Sequence, residues 1–123
     1  MAVCLVAAEV SLRIAAAAFT LAWSHTVEHQ PWQEEWRVAD DRLVLDAVRV
    51  KGSGAGMEPP EDARLVDGWY MWRPAGETRE SIVLRRAGEA PGDWQFCPAG
   101  GACAPLGDLV GAAADPVTLQ PCP

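Results

Sequence analysis

His25 and His29 stand four residues apart, with Glu28 beside the second, in the string His25-Thr26-Val27-Glu28-His29. This spells H-x-x-E-H, the inverted zinc-peptidase signature, in which two imidazoles hold a metal and a carboxylate activates water. That chemistry requires a helix, where residues i and i+4 share a face about 6 Å apart. On a strand the two histidines stand about 13 Å apart and cannot share an ion. The local sequence selects the strand. Thr26 and Val27 are β-branched, and the alternation that begins at Phe19 runs through them. Pro31 also opposes a helix continuing past Gln30. We therefore expect no metal, no cofactor and no metallopeptidase.

Read as a strand, the same stretch offers different chemistry. His25 falls on the side of Phe19, Leu21, Trp23 and Val27, and Glu34 on the side of Trp32, Trp36 and Val38. If the tryptophans point inward, His25 and Glu34 do too. An interior carboxylate needs a partner, because an isolated buried charge is costly. His25 and Arg49 are the two candidates. The pair is either a structural hydrogen-bonded brace or a polar cluster in a small pocket, since both arrangements perturb ionisable groups.

A second stretch, Val50-Lys-Gly-Ser-Gly-Ala-Gly-Met-Glu-Pro-Pro60, has the look of a phosphate loop. It lacks the Gly-Lys-Ser/Thr ending, and Pro59-Pro60 prevents a following helix. The glycines fit a bulge or a loop offering backbone N–H groups to a ligand. Ser24 and His25, as strand neighbours, point to opposite faces and form no nucleophile–base pair. The sequence also contains no G-x-S-x-G elbow. Cys97 and Cys103 flank Pro-Ala-Gly-Gly-Ala, a flexible loop, and form the candidate disulfide if the chain reaches an oxidising compartment.

The elements that must position these residues read as short strands. Val3–Ala7, Ser11–Ala15, the alternation Phe19–His29, a strand through Trp32, Trp36 and Val38, a turn at Asp40-Asp41 and Arg42–Val50 follow in order. Trp69–Trp72, Ser81–Arg86 and Asp93–Cys97 complete the set. Trp69-Tyr70-Met71-Trp72 places an aromatic on each face of its strand. Leu106–Ala114 is the one candidate helix. We expect a single domain over residues 1–123, ordered over 3–106 with an irregular tail over 107–123. Its fold should be all-β, an antiparallel sandwich or distorted barrel of about seven to nine strands.

Composition narrows the partners. The net charge is −7, with Lys51 the only lysine, so duplex nucleic acid and anionic membrane surfaces are not expected. The apolar N-terminus is interrupted by Glu9 and Arg13, too soon for a membrane span, and no cation precedes it as in an export signal. This favours a cytoplasmic location with reduced thiols, and leaves a periplasmic one open.

The stretches FTLAWSHTVEHQPWQEEWRV, VRVKGSGAGMEPP and DGWYMWRP resemble the bacterial domain-of-unknown-function family numbered eighteen-fifty. Its pattern combines F-x-L-x-W-x-H-S-V-E, W-x-E-x-W, G-x-G-A-G-M and D-G-W. His25, Glu28, Glu34, Gly54, Gly56 and Met57 occupy motif positions, and Thr26 replaces the usual serine. His29 does not clearly match. The resemblance implies association with TRAP-type transporters of the TAXI subgroup. The expected role is therefore a non-enzymatic accessory or binding module, whose partners are transporter components or a small solute. A small enzyme using His25 and Glu34 as acid and base is the alternative.

Overall fold

The computed structural model describes residues 1–24, 31–51, 59–86 and 93–123. Two open antiparallel sheets pack face to face, and neither closes into a barrel. The described residues form twelve strands, β1 (Ala2–Ala7), β2 (Val10–Ile14), β3 (Ala18–Ser24), β4 (Pro31–Ala39), β5 (Arg42–Lys51), β6 (Arg64–Val66), β7 (Trp69–Trp72), β8 (Thr78–Arg79), β9 (Ile82–Leu84), β10 (Gln95–Pro98), β11 (Ala104–Pro105) and β12 (Val117–Cys122), and one short helix, α1 (Leu106–Val110). The expected count falls short because β6, β8 and β11 have only two or three residues, and because β12 lies in the segment expected to be irregular.

The small sheet has the order β2-β1-β12-β9. The large one runs β11-β10-β3-β4-β5-β7-β6, and β8 pairs with the outer half of β5. The N-terminal apolar segment thus forms a hairpin, turning at Ala8-Glu9. Among the described residues no helix is long and apolar enough to cross a membrane.

Period-two alternation supplies the core. Val3, Leu5 and Ala7 of β1 and Val117 and Leu119 of β12 face Phe19 and Leu21 of β3, Trp36 and Val38 of β4, Leu43, Leu45 and Val48 of β5, and Phe96 of β10. Phe19 and Phe96 stack at 5.1 Å. A bulge at Asp46 shifts the phase of β5. Trp36 pairs with Leu45 and Glu35 with Ala47, leaving Asp46 as the extra residue. Inward positions therefore pass from Leu43 and Leu45 to Val48 and Val50.

Two tight turns set strand register. Asp40-Asp41 joins β4 to β5 with Asp40 at φ +58°. Asp67-Gly68 joins β6 to β7 with φ +52° and +85°, the paired positive values of a type I′ hairpin. Glycine at the second position carries no steric penalty there.

The expectation of an irregular tail beyond residue 106 is corrected. Val117–Cys122 is a strand in the middle of the small sheet, paired with β1 from Ala2↔Cys122 to Val6↔Thr118. Pro116, Pro121 and Pro123 disguise it in the sequence, since proline ordinarily argues against an inner strand. Val117 and Leu119 are fully buried and outweigh that signal.

All four cysteines are bonded, Cys4 to Cys122 across the small sheet and Cys97 to Cys103 at the end of β10. The expectation of reduced thiols is not what the structure shows.

Candidate functional site

His25, Glu28, His29, Gly54, Gly56 and Met57 lie outside the described residues. Glu34 lies within them, at the centre of β4. On a strand, side chains two apart share a face, so the sequence Trp32-Gln-Glu34-Glu-Trp36 places one carboxylate between two indoles. The indole N–H of Trp32 donates to Glu34 Oε2 at 3.2 Å, and that of Trp36 to Oε1 at 3.0 Å. Each carboxylate oxygen thus has one neutral donor. The W-x-E-x-W spacing carried this signal, because i±2 on a strand is the only geometry that brings both rings to one acid.

Arg49 is not the partner of Glu34. It projects from the opposite face of the large sheet and forms an ion pair with Glu35. Glu35 and Arg49 flank the bulge on the outer face, together with the Arg37–Asp46 pair. The alternation that turns Glu34 inward necessarily turns both of its candidate cation's neighbours outward.

The inner face around Glu34 is aromatic. Trp94, just before β10, Trp23 of β3 and Trp32 of β4 stand in sequence, with ring centroids 4.4 and 5.1 Å apart. Trp72 of β7 meets Trp32 at 6.0 Å with planes 83° apart, forming a corner of two indoles. Trp23, Trp32, Trp72 and Trp94 are all half-buried. Trp32, Trp72 and Trp94 pack against the core. Glu34, Val48 and Trp72 occupy one cross-strand row, so a short valine separates the acid from the Trp72 indole.

Burial pushes the Glu34 carboxyl above its usual range. Hydrogen bonds from Trp36 and Trp32 oppose the rise, the Glu77 carboxylate adds to it and Arg79 opposes it. Arg79 is itself matched, with Nη2 3.4 Å from Glu77 Oε1. Among Glu34, Glu77 and Arg79, one negative charge therefore remains.

A second ionic cluster is complete in itself. Arg86, two residues beyond β9, grips Asp93 with two donors, at 3.1 and 2.8 Å. Its Nη1 donates to the carbonyls of Gly111 at 2.8 Å and Ala114 at 2.6 Å. Asp93 also accepts from the Trp94 and Gly107 amides. Desolvation works to raise the Asp93 carboxyl, but the bonds from Arg86, Gly107 and Trp94 outweigh it and hold the group below its usual range. Every charged atom here has a partner, so the cluster ties β9, β10 and α1 together. Sequence reading did not find it, since its members lie on separate elements.

The fold and site define a small disulfide-bonded β-sandwich with a half-buried acid set among indoles. Residues 19–106 match the model of the DUF1850 family, described as a domain of unknown function. That stretch is well over half of the chain, and the protein belongs to this family. No curated protein and no solved structure matches the chain.

Proposed function

We propose that the protein is a binding module, accessory to TRAP-type solute transport of the TAXI subgroup, acting at the Glu34 face of its large sheet. The observation that carries the binding reading is the Glu34 carboxylate, held by Trp32 and Trp36 and left without a cation among the described residues. A purely structural role is served more cheaply by an apolar side chain, since burying a carboxylate costs several kcal/mol even after relaxation. The link to transport comes from the association that the family resemblance implies. Two disulfides support a working place in an oxidising compartment, outside the cytoplasm. Nothing among the described residues favours acid–base catalysis by Glu34, whose proposed partner His25 lies outside them.

The reading is tested by affinity purification of the tagged full chain from its native host, followed by mass spectrometry. Enrichment of membrane subunits or the solute-binding protein of a TRAP-type transporter is the expected outcome. A pull-down with no transporter component above an untagged control sinks the accessory role.

A further inference from the structure

We propose that the Glu34 site takes a small organic cation of the quaternary or tertiary ammonium class. This rests on reading the same face as a binding site, and adds the chemistry of its ligand. Glu34 spends an acceptor position of each oxygen on the neutral N–H groups of Trp32 and Trp36. Those bonds use directional lone pairs and leave the formal charge in place. What fits such an acid is a positive group that needs potential more than hydrogen bonds. A quaternary ammonium, which has no N–H to donate, is that group.

The surroundings agree. Cations are attracted to indole faces, best of all aromatic surfaces. Trp32 and Trp72 stand nearly perpendicular, at 83°, and both are only half-buried. Val48 between Glu34 and Trp72 keeps the separating side chain short. Arg79, the cation among the described residues whose charge is felt at Glu34, already faces Glu77. Other ligand classes fit less well. Calcium needs about six to eight oxygen ligands, and Glu34 supplies one carboxylate. A sugar needs several hydroxyl partners, and the acid's acceptors are partly occupied.

The test titrates the full chain with choline chloride, at constant ionic strength, by tryptophan fluorescence and by calorimetry. The neutral isostere 3,3-dimethyl-1-butanol serves as the control. Saturable binding of choline, at least about tenfold tighter than the isostere, is expected. Glu34→Gln should weaken choline by about tenfold or more while the far-ultraviolet circular dichroism stays native. If that variant fails to fold, Trp72→Leu decides, with an expected loss of at least about threefold. No saturable signal with choline, equal affinity for the isostere, or unchanged affinity in Trp72→Leu each overturns the inference. Failure here with successful transporter co-purification leaves the accessory reading standing. Choline binding without any transporter partner does the reverse.

Discussion

Glu34 and Asp93 are both partly buried carboxylates, yet they move in opposite directions. Glu34 is desolvated among indoles and receives only neutral donors, so its proton is held more tightly than usual. Asp93 receives a guanidinium and two amides, so its proton is released more readily. The consequences for stability have opposite signs. Below the usual Glu value of 4.5 the Glu34 contribution is fully present, and it is lost as pH rises through the higher folded value. Asp93 contributes above the usual Asp value of 3.8, and that contribution is lost as pH falls through the lower folded value. Urea denaturation from pH 4 to 7 should show wild type losing stability relative to Glu34→Gln as pH rises above 4.5. A constant difference between the two proteins refutes the assignment. Asp93→Ala strands a guanidinium whose side chain is 10% exposed. It should cost about 3 kcal/mol at neutral pH. The same variant should have a shallower acid limb below pH 3.8, read by the same method.

Most strands followed from alternation and turn chemistry. β4 and β5 were readable because Trp36, Val38, Leu43 and Leu45 keep a period of two on either side of Asp40-Asp41. The bulge at Asp46 was not read, since Leu43-Val-Leu45-Asp-Ala-Val48-Arg-Val50 gives inward residues at 43 and 45, then 48 and 50. The change of phase is visible once the partner strand is known. β6 was missed because Arg64, Leu65 and Val66 are all exposed at the sheet edge, so burial left no pattern. In the candidate site, the inward direction of Glu34 came from alternation. Its partners are hidden in the sequence, because an alternating tryptophan signals core before it signals a hydrogen-bond donor. α1 makes a testable contact. A Cβ at Gly107 would lie 2.9 Å from Arg86 Nη2 and 3.2 Å from Asp93 Oδ2. Both atoms are pinned by their ion pair and cannot swing away cheaply. Gly107→Ala should therefore cost about 1–3 kcal/mol, seen as a lower urea midpoint. Unchanged stability would show that the brace is loose.

Across the molecule, two disulfides close loops of very different length. Cys4 and Cys122 are 118 residues apart, and Cys97 and Cys103 only 6. Loop-closure entropy then gives the first bond about 5 kcal/mol and the second about 2 kcal/mol. Thermal unfolding should show a larger loss of Tm for the Cys4→Ser/Cys122→Ser double variant than for Cys97→Ser/Cys103→Ser. The reverse order overturns this ranking. Cys4 and Cys122 gave no pairing signal in sequence, because only folding of the small sheet brings β1 beside β12.

That same neighbourhood sets a timetable for the ribosome. β1 is the first of these strands to be made and β12 the last, yet they are hydrogen-bonded partners at the heart of one sheet. Until β12 has emerged, that edge of β1 has no strand to pair with. The small sheet therefore assembles only after the whole described chain has been made, by a slow, long-range closure. A nascent chain therefore carries an unfinished small sheet for the duration of its synthesis, whatever the larger sheet has already formed.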